Sequence, residues 1–265
     1  MAAQGILRRV PKSSRARSRR LWVVKVGSSV LTEGGPLLLR AWMQQVAALR
    51  DQHQIQVIWV SSGAIATARG RIRRMWTRLP EKQALSAIGQ SILMENYNLA
   101  INSIGSLAGQ VLLTYDDIRH PSRRRNLKNT LNTLLEWNVT PILNENDAVA
   151  TEEIQFGDND TLSAMVASLM KAEKLVIMTN VEGLYERNSP SKIIRSVSSV
   201  TAALLAQVDH KKKSLGGTGG MYSKLLAARM AQRAGIGTVL MRGDTHHGLL
   251  KIAQGEQIGT SINGK

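Results

Sequence analysis

Between Asn144 and Ala164 the chain reads NENDAVATEEIQFGDNDTLSA, and in it Asn144, Glu145, Asn146, Asp147, Asp158, Asn159 and Asp160 make two polar clusters that bracket a loop. Carboxamides and carboxylates packed this densely can grip an amino group and organise cations. The same residue types also favour turns and helix starts through local hydrogen bonds, and Asp158 to Asp160 alone fits an N-cap equally well. Two such clusters in one loop weigh towards a site. An apolar run ends at Leu143 and a helical pattern starts at Leu162, so the loop leaves a strand at its carboxyl end, where open α/β sheets bind ligands.

Two lysines suggest a second kind of chemistry. Lys25 stands inside the apolar run Leu-Trp-Val-Val-Lys-Val, and Lys224 stands in the first turn of the helix that follows Gly216-Gly217-Thr218-Gly219-Gly220. A lysine between valines is costly to bury without an anion, although on a sheet edge it would simply reach water. A lysine at a helix start opposes the helix dipole. A polyanion held between them accounts for both, and the glycine run can offer backbone N–H groups to phosphate oxygens, although such a run is also what a plain linker looks like. It is not a Walker A loop, and the protein-kinase catalytic-loop pattern is absent.

The elements that must carry these residues alternate. Leu21 to Val26 reads as a strand, Pro36 to Arg50 as a helix and Gln56 to Val60 as a strand, a β-α-β opening. Glu81 to Ile101 reads as a long helix with Leu85, Ile88, Ile92 and Leu99 inward. Gln110 to Thr114 and Val139 to Leu143 read as strands on either side of a helix from about Asn126 to Trp137. Asn159 to Lys171, Thr201 to Val208 and Met221 to Ala234 read as helices, with strands at Lys174 to Thr179, Lys192 to Val197 and Thr238 to Met241. Strands alternating with helices imply a mostly parallel sheet covered on both faces. The small or polar loops Gly27 to Ser29, Ser61 to Ala64, Asn144 to Asp160 and Thr179 to Asn180 then converge on one edge.

Composition bounds the function. The 265 residues, 43% of them hydrophobic, support one large domain or one domain of two lobes. No apolar run reaches the roughly 18 residues that span a bilayer. The absence of Cys removes thiol nucleophiles and disulfides, and His246 and His247 are adjacent, which suits a surface pair better than a metal site. The formal charge of +16 invites a nucleic-acid reading, but much of it lies in an acid-free extension over residues 1–20, and aromatics that could stack bases are few, one Phe and four Tyr besides five Trp. Nucleic acid is therefore not the expected partner. A basic rim drawing in small anions suffices, and the extension reads as disordered rather than as a transit peptide.

The set VVKVGSS, VSSGAIA, QALSAIGQS, GQVLLT, LNENDAVA, FGDNDTLSA, TNVEGLY and GTGGMYSK, in this order, closely resembles the glutamate 5-kinase family of the amino acid kinase superfamily, from about Leu21 to Thr260. The resemblance implies an α/β fold, an open three-layer αβα sandwich around a mostly parallel sheet, over residues 21–265. Its N-terminal lobe would bind glutamate and its C-terminal lobe ATP. It implies that Ser62, Asp147 and Asn159 hold glutamate, that Lys25 contacts the ATP phosphates, and that Thr179 and Asn180 line the nucleotide site. Thr218, Gly219, Gly220, Met221, Tyr222, Ser223 and Lys224 would wrap the phosphates. Lys25 and Lys224 are expected to stabilise the transferring phosphoryl group and Asp160 to orient them, with Mg²⁺ bridging phosphates and no dedicated protein metal site. The resemblance further implies a cytoplasmic homo-oligomer, dimer or tetramer, that hands its product to glutamyl-phosphate reductase. The C-terminal PUA domain of many bacterial members is expected to be missing. Asn180 replaces a usual Asp, Tyr222 replaces a smaller residue, and Arg69 to Arg78 and Arg119 to Arg125 are unusually basic for the family. The alternatives are an acetylglutamate, aspartate or carbamate kinase, or a basic nucleic-acid-binding or regulatory protein on a degenerate kinase fold.

Overall fold

The computed structural model describes residues 20–72, 78–149, 159–187, 189–208 and 220–264. The expected N-terminal extension up to residue 19, Asp158, and the glycine run with Thr218 and Gly219 lie outside these residues. In chain order the elements are β1 (Arg20–Val26), α1 (Ser28–His53), β2 (Ile55–Val60), α2 (Ala64–Arg69), α3 (Leu79–Asn102), β3 (Leu107–Leu113), α4 (Tyr115–Arg119), α5 (Pro121–Glu136), β4 (Val139–Glu145), α6 (Asn159–Met170) and β5 (Lys174–Thr179). They continue with β6 (Tyr185–Glu186), β7 (Ser189–Ile193), β8 (Ser196–Val197), α7 (Ala202–Ala206), α8 (Met221–Arg233), β9 (Gly237–Arg242), α9 (Gly248–Ala253) and β10 (Thr260–Ile262).

Eight strands form one sheet in the order β3-β4-β2-β1-β5-β9-β10-β8. The pairs from β3 to β9 are all parallel, and β10 runs antiparallel to β9. Because successive side chains of a strand face opposite sides, β1 divides the core in two. Leu21 and Val23 pack with α5, α6 and α8 on one face. Trp22, Val24 and Val26 pack with α1, α3 and α9 on the other. The result is the expected αβα sandwich. Lys25 shares the parity of Leu21 and Val23, so it points towards the layer that contains α6 and α8.

Several details depart from the sequence reading. The Gly27 to Ser29 turn is shorter than expected, because α1 starts at Ser28 and absorbs the Pro36 to Arg50 helix across a kink at Gly35, after which Pro36 restarts the helix. The helix expected from Asn126 begins at Pro121. The strand expected at Lys192 to Val197 is split: β7 pairs with β6 in a small antiparallel ribbon, while β8 joins the main sheet beside β10. In α3, Leu85 is buried as expected, but Ile88 and Leu99 face solvent, and Leu93, Met94 and Tyr97 take the inner positions.

Candidate active site

Four consecutive parallel strands, β4, β2, β1 and β5, end at one edge of the sheet, and their carboxyl ends carry the loops singled out above. Lys25 is in register with Val60 on one side and Ile177 on the other. It is therefore central, not at a sheet edge, and it is only 2% exposed. Its Nζ lies 2.6 Å from Asp160 Oδ1. Asp160 is in the first turn of α6, where a helix dipole favours an anion, and its side chain is fully buried. Lys224, from the first turn of α8, reaches the other oxygen, Oδ2, at 3.1 Å, and Ser223 Oγ sits 3.0 Å from the same oxygen. One carboxylate thus holds two buried ammonium groups from opposite sides. The trio carries one positive charge in excess, which a polyanion would neutralise.

The second cluster is built of amides and hydroxyls. Asn159 opens α6, and its Nδ2 lies within 3.0 Å of the Ser61 carbonyl, Ser62 Oγ and Asn144 Oδ1. Its Oδ1 is buried and has no hydrogen-bond partner among the described residues. Such an acceptor suits an ammonium group. Asn144 in turn donates to Gln90 Oε1 at 2.7 Å, and Ser86 donates to Asp147 Oδ2 at 3.2 Å. Burial raises the Asp147 carboxyl above the usual carboxylate range, and the Ser86 hydrogen bond partly offsets this. Ser62 belongs to a turn closed by Gly63 at φ 94°, a conformation that favours glycine. Ser61 N–H fixes the start of that turn on the Leu143 carbonyl.

On the far side of β1, Thr179 is buried at the end of β5, and its hydroxyl lies 3.3 Å from Oδ1 of the exposed Asn180. Gly220 caps α8 without a side-chain hydrogen bond, and Met221, Tyr222 and Ser223 are half-buried. The first-turn N–H groups of a 13-residue helix there suit an anionic ligand. Lys25, Asp160 and Lys224 meet, and so do Ser62 and Asn159, with Asp147 in the same polar loop. Among the described residues, the side chains of Thr179 and Asn180 bond each other and neither cluster. The sequence reading passed over Ser86, Gln90 and Tyr97, which hold this site from α3; the polar pair Ser86 and Gln90, one helical turn apart, was the available signal. Among the described residues no group of three or more His, Asp or Glu can hold a metal ion, and the exposed His246 and His247 rings meet edge-on.

A profile of the amino acid kinase family matches residues 20–242. The glutamate 5-kinase of Caldanaerobacter subterraneus subsp. tengcongensis is 41% identical over 250 residues, covering 91% of this chain and 67% of that relative. That of Methylococcus capsulatus is 42% identical over 254 residues, covering 92% and 67%. The chain therefore spans about two thirds of these relatives' length. Among solved structures, the T. acidophilum isopentenyl phosphate kinase product complex superposes with a TM-score of 0.63 at 15% identity, covering 92% of this chain and all of that one. At that identity the likeness speaks for the fold alone.

Proposed function

The chain belongs to the amino acid kinase family, and from that premise and the glutamate 5-kinase relatives we infer that it transfers the γ-phosphoryl group of ATP to the γ-carboxylate of L-glutamate. A carboxylate oxygen attacks the γ-phosphorus, the bond to the bridging β-phosphate oxygen breaks, and L-glutamyl 5-phosphate and ADP leave. The carboxylate is already ionised at neutral pH, so no general base is required. Catalysis is then alignment and charge neutralisation. The observation that carries this reading is the Lys25–Asp160–Lys224 trio, a surplus of buried positive charge beside a cluster suited to an ammonium group.

In this reading Ser62, Asp147 and Asn159 hold glutamate, with the Asn159 oxygen and the Asp147 carboxylate facing its ammonium group. Lys25 and Lys224 face the transferring phosphoryl group, and Asp160 sets their separation. Thr179, Asn180 and residues 218–224 line the nucleotide site. Mg²⁺ bound with the nucleotide would supply further neutralisation of phosphate charge. The N-terminal lobe thus serves glutamate and the C-terminal lobe ATP, in a cytoplasmic enzyme committing glutamate to proline synthesis. Its labile product passes to a glutamyl-phosphate reductase. The edge strand β3 carries no charge and exposes Leu107 and Leu112, so a second copy of the chain pairs there in a homo-oligomer.

The test is ADP release from Mg-ATP with each of L-glutamate, L-aspartate and N-acetylglutamate, trapping acyl phosphate with hydroxylamine. Hydroxamate with L-glutamate alone is expected. Hydroxamate with another acid only, or with none, overturns the reading.

A further inference from the structure

The residues that hold the glutamate cluster come from the turn after β2, from the end of β4 with its following loop, and from the start of α6, and one face of one helix touches the first two. Ser86, Gln90 and Tyr97 of α3 are separated by four and seven residues, which at about 100° per residue puts them within about 40° of one line along the helix. All three are buried. Ser86 donates to Asp147 in the loop after β4, and Gln90 accepts from Asn144 at the end of β4. Tyr97 donates to Ser61 Oγ at 2.9 Å in the turn after β2, and Ser61 Oγ donates onward to the Ser62 carbonyl. Tyr97 is itself pinned by Trp59 Nε1 at 2.7 Å. Burial raises its hydroxyl's pKa, so it stays a neutral donor across the working pH range.

This face can approach so closely because of Gly89. A Cβ there would lie 1.8 Å from the Ala64 carbonyl oxygen, immediately after the Ser62 turn. The buried Nε2 of Gln90 has no hydrogen-bond partner among the described residues. Stability alone gives no reason to leave such a donor beside Asn144, whereas a solvated or liganded site does.

We propose that α3 sets the position of the amino-acid substrate, with Gln90 and Tyr97 as positioning residues that act through Asn144–Asn159 and through the Ser61–Ser62 turn. The inference rests on the glutamate-kinase reading and adds to it a determinant of glutamate affinity that touches neither ATP nor the reacting atoms. Breaking either link frees one substrate loop and leaves the Lys25–Asp160–Lys224 trio intact.

The experiment compares the wild type with Tyr97→Phe, Gln90→Met and Ser91→Ala in the hydroxamate assay, and measures L-glutamate and ADP binding to each by calorimetry. Tyr97→Phe and Gln90→Met are each expected to raise the glutamate KM and Kd roughly tenfold, the effect of orphaning one buried hydrogen-bond partner. The ATP KM, ADP Kd and kcat are expected to stay within about twofold of wild type. Ser91→Ala, on the solvent side of the same helix, is expected to change nothing. Unchanged glutamate affinity in both variants, or equal losses for glutamate and nucleotide, overturns the proposal, the latter because general loosening would suffice. Wild type that neither turns over nor binds glutamate overturns the functional reading as well, and the wild-type arm alone reveals that case.

Discussion

Asp160 is shared by two ammonium groups, and the two ways of dismantling the trio cost different things. Lys224→Ala leaves Asp160 paired with Lys25. The fold should survive while kcat falls by about two to three orders of magnitude, with glutamate KM nearly unchanged; steady-state kinetics check this, and near-normal turnover would remove Lys224 from the reaction. Asp160→Ala instead takes the shared counter-charge from two buried lysines, and a loss of about 3–5 kcal/mol is expected in denaturant unfolding. Asp147 adds a pH dependence. An acid whose folded pKa is raised favours the fold below its unfolded value and loses that contribution as pH rises through the folded one. Ionised Asp147 therefore works against the unliganded fold, and in the proposed reading the substrate ammonium compensates it. Glutamate KM should rise as pH falls through the raised Asp147 value, above the ordinary range near about 4, and Asp147→Asn should abolish that limb; a KM flat down to the ordinary range would contradict the assignment. Lys25, Asp160, Lys224 and Asn159 were legible in the sequence because each is a polar residue where local structure gains nothing from it, or in a cluster too polar for a turn. Tyr97 was not, since a tyrosine within a helix is ordinary, and Ser86 and Gln90 left only the faint signal of a polar pair one turn apart.

At the scale of elements, the contact between α2 and α3 turns on Gly89. Gly89→Ala must push α3 away from backbone atoms of Ala64, an overpacking cost of about 1–3 kcal/mol. The denaturant midpoint should fall and the glutamate KM should rise together; an alanine variant as stable and as avid as wild type would show that α3 can move without consequence. The same helix explains a misreading. Its apolar period suggested Ile88, Ile92 and Leu99 as the inner face, but Ser86 and Gln90 occupy inner positions for the site, so the buried face looks half polar and the outer one apolar. Six strands, β1 to β5 and β9, were legible as short runs ending in turn residues, although β3 starts three residues before the expected Gln110. β10 was not, because three residues carry no period. Nor was the break between β7 and β8, which depends on Thr260: its hydroxyl bonds the Ile194 carbonyl and accepts from Leu184 N–H, partners more than sixty residues away.

For the whole molecule, β3 is the exposed end of an eight-stranded sheet, seven residues long without a charge or proline, and flanked by the outward Leu99 of α3. Edges of this kind invite pairing. If the proposed pairing through β3 holds, the wild type sediments as an oligomer and Leu107→Lys as a monomer; an unchanged sedimentation coefficient would contradict pairing there. The other end of the chain's timetable belongs to β1. It is made first among the described strands, and β2 follows soon after, but its second neighbour, β5, begins only at Lys174. At a synthesis rate of about 5–20 residues per second, the ribosome leaves that side of RLWVVKV bare for roughly 7–30 s. A charge is one device that keeps a bare strand from templating another chain, and Lys25, near the end of this strand, is the charge flanked by apolar residues on both sides. A lysine proposed for phosphoryl transfer would then serve a second time, as a guard on the nascent chain. Nascent chains halted before β5 should aggregate more with Lys25→Val than without it, and equal aggregation would leave the residue with its chemical duty alone.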